Sequence, residues 1–204
     1  MQSLQARRGD ALIIVDLQHD FLPGGSLAVR DGDAVIPVLN RAIAVFDAAQ
    51  LPVIATRDWH PENHCSFRAQ NGIWPPHCIA GSHGAAFSPE LQLASATIVS
   101  KATTAEKDAY SGFEGTDLAA MLRAQGVRRV FVGGLATDYC VLQTVMDALK
   151  LGFDVVLLVD AIRAVDVQPG DGERAIARMV AAGAVAADID TDGSAHALSA
   201  AEAA

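Results

Sequence analysis

The feature that most constrains this chain is a rhythm. Short runs of β-branched and other apolar residues recur at 11–15, 53–56, 97–100, 130–132 and 155–159, with a weaker run at 184–189. Each is too brief for a buried helix, and the intervening stretches 35–50, 117–125, 138–151 and 172–182 carry helical spacing, the last two ending at Gly152 and Gly183. Strands alternating with helices imply βαβ units, so the expected class is α/β with a parallel sheet. A length of 204 residues suits one domain, taken here as 1–204, and the alanine-rich tail after Ser194 is expected to fray.

Charge and composition narrow the function. With 15 basic and 24 acidic residues the formal charge is −9, and no segment supplies the clustered basic face that a nucleic-acid backbone requires. No apolar run approaches the roughly 20 residues that cross a bilayer, and the first ten residues lack the apolar core of a secretory signal, so neither nucleic acid nor membrane is an expected partner and the expected compartment is the cytoplasm. Cys65, Cys78 and Cys140 are odd in number and lack C-x-x-C spacing, which argues against a disulfide framework and a cysteine zinc knuckle.

The segment at about 58–90 breaks the rhythm. It holds prolines, glycines and four of the six histidines without a clear helix or strand, and a loop of that length is usually functional or disordered. Trp59, Trp74, Pro75 and Pro76 favour order. In open parallel sheets ligands collect at the carboxyl ends of strands, and the polar residues there are Asp16, then Asp58 and His60, then Lys101, and finally Cys140 beyond the glycine pair 133–134. Taken singly these read as a turn carboxylate, a solvated lysine and an inert buried thiol; their arrival at one edge of one sheet points to chemistry.

Cys140 follows Gly133-Gly134-Leu135-Ala136-Thr137-Asp138-Tyr139 and precedes a helix with the apolar face Val141, Leu142, Val145, Met146 and Leu149. A thiol in the first turn of a helix, near the ammonium of Lys101, is expected to favour thiolate, with backbone N–H groups available to an oxyanion. Asp16 would then take the thiol proton and return it to a leaving amine. Asp58 and His60, two apart in extended chain, face the same side, and His77 can close a three-ligand site of mixed oxygen and nitrogen type suited to one divalent ion, zinc first, with iron or manganese as alternatives. D-x-H is short enough to occur by chance, so surface histidines are the competing reading. His64 is read as a hydrogen-bonding neighbour of that site. Phe21, Trp74 and Tyr110 form either a stacking pocket for a planar substrate or plain core. His19 is as much a structural hydrogen-bonder as a catalytic one, Cys65 and Cys78 pack or face solvent, and His83 and His196 are assigned no role.

Taken together, the stretches 11–21 with 23–27, 57–61 through 64–67, 74–78, Lys101, 110–113 and 133–140 resemble the nicotinamidase branch of the isochorismatase-like hydrolases. The resemblance implies a three-layer α/β/α fold around a six-stranded parallel sheet, with the first strand between the second and the fourth. It implies Cys140 as nucleophile, Asp16 as acid–base group, Lys101 as their charge partner, and Asp58, His60 and His77 as metal ligands. It further implies a cis peptide between Leu135 and Ala136, an oxyanion hole from the N–H groups of Ala136 and Cys140, and a ring pocket of Phe21, Leu27, Trp74, Ala136 and Tyr139. The activity implied is hydrolysis of nicotinamide to nicotinate and ammonia through a thioester, with a small molecule as the partner and association between copies left open. Two departures stand out: His19 occupies a position where the family commonly has asparagine, and the length of the stretch 101–110 differs from some members. Outside that reading, hydrolysis of another small amide or carbamoyl compound and a nucleotide-holding regulatory module at Gly133 and Gly134 compete, although the glycine pair lacks G-x-G-x-x-G spacing. An aspartate-nucleophile phosphatase would need a carboxylate where Gln18 stands.

Overall fold

The structure, a computed structural model, describes residues 3–189 and 195–198. In chain order the elements are β1 (Ser3–Leu4), β2 (Asp10–Val15), α1 (Ile36–Ala48), β3 (Val53–Asp58), β4 (Thr97–Lys101), α2 (Leu118–Ala124), β5 (Arg129–Leu135), α3 (Leu142–Lys150), β6 (Asp154–Arg163), α4 (Asp171–Ala181), β7 (Val185–Ile189) and β8 (Ala195–Ala197). Among the described residues the strands form one sheet, ordered β1-β8-β7-β6-β5-β2-β3-β4. Every pair from β7 across to β4 is parallel, while β8 runs antiparallel to both β7 and β1.

The expectation of a six-stranded sheet is therefore corrected: six parallel strands run from β7 to the β4 edge, and the antiparallel β8 and β1 extend the sheet beyond β7 to eight. β1 and β8 are two and three residues long, too short to show any alternation, and pairing on the β7 edge is what orders them. The expected fraying after Ser194 is corrected for Ala195–Ala197, which lie in β8; residues 199–204 fall outside the described residues.

Why the strand runs are nearly continuous in apolar residues follows from the layers. All six residues of β2 are buried, because helices cover both faces of the sheet. Leu12 and Ile14 point to the face covered by Leu39, Ile43 and Phe46 of α1. Ala11, Ile13 and Val15 point to the opposite face, against Leu118 and Leu122 of α2, Val145 and Ala148 of α3, and Ala175 and Met179 of α4. Each large aliphatic side chain so buried contributes about 1.5–3 kcal/mol.

Register then decides what meets at the carboxyl edge. Val15 pairs with Thr56 and Asp58 pairs with Lys101, so the ends of β2, β3 and β4 are brought level. β5 lies on the other side of β2, and the strand order reverses between them, the place where an open sheet leaves a crevice. The pairing of β5 with β6 slips between Val132 and Gly134, which re-aims the end of β6 and the residues after it. Gly134 has φ of 121°, and a Cβ there would overlap the backbone oxygen of Val15 and sit 2.6 Å from its nitrogen. Gly134→Ala is expected to cost at least about 3 kcal/mol and to lower Tm by about 6 °C or more. A melting curve within 2 °C of the parent, an interval well below that ~6 °C, would contradict the packing described for β2 and β5.

Candidate active site

At the carboxyl edge Lys101 is 1% exposed and holds the centre of a polar cluster. Its Nζ donates to Asp58 Oδ1 at 2.5 Å, to the carbonyl of Ala109 at 3.2 Å and to Cys140 Sγ at 3.6 Å, and it lies 3.0 Å from Asp16 Oδ2. That last approach is a buried ion pair between the ammonium and Asp16. The other oxygen of Asp16 accepts from Thr56 Oγ1 at 2.7 Å. The Cys140 sulfur and carboxylate oxygens of Asp16 and Asp58 lie within 4.8 Å of one another, so a thiol proton has an acceptor close by.

Burial and charge work against each other here. Burial acts to neutralise Lys101, but Asp16 and Asp58 outweigh it and hold the ammonium charged. Burial raises the Asp16 carboxyl above its ordinary range, with Lys101 opposing. At Asp58 the same burial is overcome by Lys101 and His60, and the carboxyl is held below its ordinary range. The Cys140 thiol is pushed up by burial, with Lys101 opposing and Asp16 and Asp58 adding to the rise. The expected pull of Lys101 toward thiolate is thus opposed, first by burial and then by the two carboxylates that share the same ammonium. The helix argument is corrected in detail too, since Cys140 sits in a π-helical turn, Thr137–Val141, that leads into α3.

Beside this cluster Asp58, His60 and His77 each offer one ligand atom within 4.8 Å of the others, all three buried. Nδ1 of His60 lies 3.2 Å from the carbonyl of Ala102, and Nδ1 of His77 lies 2.8 Å from that of Pro75. Donation from Nδ1 to a carbonyl fixes the tautomer and leaves Nε2 as a lone-pair donor, the arrangement expected of metal-ligating imidazoles. Burial also lowers the His77 imidazole, with backbone and carboxylate partners opposing, which favours the neutral form a metal needs. One carboxylate and two imidazoles fit a divalent metal ion. His64 is spent otherwise: its nitrogens meet Ser66 Oγ at 2.8 Å and the carbonyl of Lys107 at 3.2 Å, and its ring stacks on His60 at 4.1 Å.

A narrow cleft opens onto both groups, and its lining includes Asp58, His77 and Cys140. Phe21, Leu27, Trp74, Tyr110, Ala136 and Tyr139, all expected around the substrate, line it together with Val29, Leu135 and Val165. Trp74 Nε1 donates to Tyr110 Oη at 3.0 Å, and the Trp74 and Tyr139 rings meet edge to face at 5.2 Å, so the aromatic wall is braced from within. The Leu135–Ala136 peptide is cis. Gly133 and Gly134 are buried inside β5, closed against Leu39 and Val15, and do not form a phosphate-cradling loop.

Several residues at the site escaped the sequence reading. Gln18 is fully buried; its Nε2 donates to the carbonyls of Asp58 and Ala85, and its Oε1 accepts the N–H of Asp58. Asp20 accepts the N–H groups of Cys78 and Ser26, tying the metal-side loop to the loop that carries Leu27. Asp138 accepts the N–H groups of Val165 and Asp166 and so fixes the Val165 wall to the turn that carries Cys140. Nothing in local spacing marks these long-range bonds; only the proximity of Gln18 and Asp20 to Asp16 was available as a signal. Three non-glycine residues beside functional ones are left-handed, Asp16 (φ 52°), Cys78 (φ 47°) and Ala102 (φ 51°), conformations that cost roughly 1–3 kcal/mol each and persist where surroundings impose them. Cys78 is buried core, Cys65 is half-buried, and His19 stacks on His83 at 4.1 Å, away from the cleft lining.

The chain is similar to known proteins along most of its length. The Escherichia coli nicotinamidase is 42% identical over 196 aligned positions, covering 85% of this chain and 92% of that protein. The crystal structure of Pyrococcus horikoshii pyrazinamidase in complex with zinc is 50% identical, with a TM-score of 0.85, covering 89% of this chain and 99% of that one. PnC1 from L. infantum in complex with nicotinate is 42% identical, with a TM-score of 0.80, covering 89% and 93%. Among the described residues no helix is long and apolar enough to cross a membrane. The isochorismatase domain model matches residues 10–191, a span holding β2 through β7 and every residue of the site, and the chain belongs to the isochorismatase family.

Proposed function

We propose that the protein is a metal-dependent cysteine amidohydrolase that converts nicotinamide to nicotinate and ammonia, with residues 1–204 as one hydrolase domain. The observation that carries this reading is the meeting of a buried thiol, a buried carboxylate and a buried ammonium at the floor of an aromatic cleft. Relatives named as nicotinamidases and a related structure holding nicotinate support the substrate.

The residues act as follows. Asp16 takes the thiol proton from Cys140, and the thiolate attacks the amide carbonyl carbon, forming a carbon–sulfur bond. Lys101 keeps the departing charge within a neutralised cluster while the N–H groups of Ala136 and Cys140 receive the oxyanion. Asp16 returns the proton to the amine, the carbon–nitrogen bond breaks, and ammonia leaves a thioester. Water, deprotonated by Asp16, attacks that thioester; the carbon–sulfur bond breaks, Asp16 passes the proton to the leaving sulfur to restore the thiol, and the acid leaves as nicotinate with loss of its own proton to solvent. Phe21, Leu27, Trp74, Tyr110 and Tyr139 hold the ring and exclude bulk water. Asp58, His60 and His77 would hold the metal, with zinc as the ion proposed, and the bound ion supplies a Lewis-acidic anchor for the ring nitrogen.

Ammonia release from nicotinamide by the purified protein tests the whole reading; an inert nicotinamide alongside turnover of another amide would retain the class and remove the substrate. Cys140→Ala is expected to lower kcat/KM by at least about 10⁴-fold with melting temperature and metal content unchanged. Appreciable residual turnover would remove the thioester route. Asp16→Asn, which keeps the Thr56 hydroxyl within reach, is expected to lower kcat by about 10²–10⁴-fold and to slow alkylation of Cys140 by iodoacetamide; unchanged labelling would assign the proton to another base. Dialysis against a chelator is expected to abolish turnover and zinc to restore it, and full activity after metal analysis shows no divalent ion would refute the metal requirement.

A further inference from the structure

Strand β2 stops one residue before the chemistry needs it. Val15 is its last ladder residue, opposite Thr56, and Asp16 turns left-handed while its N–H still reaches the carbonyl of Thr56 at 3.2 Å. Were the parallel ladder to continue, the carbonyl of Asp16 would next accept the N–H of Asp58. That carbonyl accepts the N–H of Gln18 instead, at 2.8 Å. Asp58 would therefore be left with an unpaired N–H and carbonyl in a buried position on its β2 side.

The Gln18 side chain fills the gap. Its Oε1 accepts the Asp58 N–H at 2.8 Å and its Nε2 donates to the Asp58 carbonyl at 2.7 Å, so one primary amide makes the pair of bonds that a peptide group would supply. The second proton of Nε2 goes to the carbonyl of Ala85 at 2.9 Å, and the Gln18 backbone bridges to Phe87, so the same residue grips both ends of the segment that contains His60 and His77. Gln18 is fully buried, and both donors and an acceptor of its amide are used. On the other side Asp58 is held in register with Lys101 of β4.

We propose that Gln18 is a positioning residue for the metal site, an artificial rung of the sheet that fixes the backbone of Asp58 and thereby the affinity and coordination geometry of the ion. The inference rests on the assignment of Asp58, His60 and His77 as ligands. Ligand groups must be held to within about 0.5 Å to bind well, and loss of a group that orients a ligand typically weakens binding about 10- to 100-fold.

The test uses cobalt(II) as the probe, with dissociation constants from chelator competition, the visible absorption spectrum of the bound ion, and the melting temperature of the metal-free proteins. Gln18→Met keeps the volume and removes all three bonds; it is expected to raise the cobalt dissociation constant about 10- to 100-fold and to alter the visible spectrum. Gln18→Glu keeps an acceptor for the Asp58 N–H, loses donors to the two carbonyls, and is expected to fall between the parent and Gln18→Met; it carries the comparison should Gln18→Met fail to fold. A folded variant that binds cobalt within about twofold of the parent, with an unchanged spectrum and only a lowered melting temperature, would overturn the proposal, because a loss confined to packing leaves ligand placement intact. A parent protein that takes up no cobalt at all would overturn the ligand assignment on which it rests, a result distinguishable from failure of the Gln18 step alone.

Discussion

The ammonium of Lys101 is the counter-charge on which the polar interior of this protein depends. Two carboxylates and a thiol converge where water is excluded, and an ion removed from water loses several kcal/mol of hydration that only close, well-directed partners offset. At about 3 Å and an effective permittivity near 20, one attraction is worth roughly 5 kcal/mol, enough to hold Asp58 ionised against burial. It does not suffice for every acid in the cluster at once. Asp58, with the shorter approach and His60 behind it, stays charged, whereas Asp16 and Cys140 are both driven toward their protonated forms. The division is useful: a carboxylate held below its ordinary range suits a metal ligand, and a carboxylate raised above it suits proton transfer.

Sheet order is what brings that lysine to its partners. With β2 in the middle, its end is flanked by β5 and β3, with β4 beyond, so four strands deliver one group each to a single crevice over short and rigid connections. The long segment after β3 then only has to fold back over the crevice. It is closed there by bonds from the exit of β2, where Asp20 and Gln18 reach Cys78 and Ala85. The aromatic wall, the metal donors and the nucleophilic turn therefore share a frame in which no part moves without straining another.

Much of this was legible in the sequence, for identifiable reasons. The apolar runs of β2, β3, β5 and β6 are largely buried on both faces, which makes them conspicuous, and reading the polar residues at or after the ends of β2, β3 and β5 found Asp16, Asp58 and Cys140, while Lys101 closes the less buried β4. The cis peptide and the places of Leu27, Ala136 and Tyr139 in the pocket came from family resemblance alone, whereas Phe21, Trp74 and Tyr110 already stood out as aromatics that could stack on a planar substrate. What escaped detection is what arises only when distant pieces meet. β1 and β8 are ordered by pairing and not by propensity, Val165 joins the cleft because Asp138 holds it there, and the proton affinity of Cys140 is raised by burial first and then by the acids that share one lysine with it.

Ala102 shows what such a frame demands of a single residue. It follows Lys101, adopts a left-handed backbone that alanine resists, and turns its carbonyl toward Nδ1 of His60. A glycine would occupy that conformation at ease and would make the folded chain more tolerant of heat to the extent that strain is relieved. It would also let the carbonyl wander, and with it the imidazole that the carbonyl orients. Thermal endurance and ion capture thus pull in opposite directions at one small side chain, and an evolutionary or laboratory search that rewards only the first would erode the second.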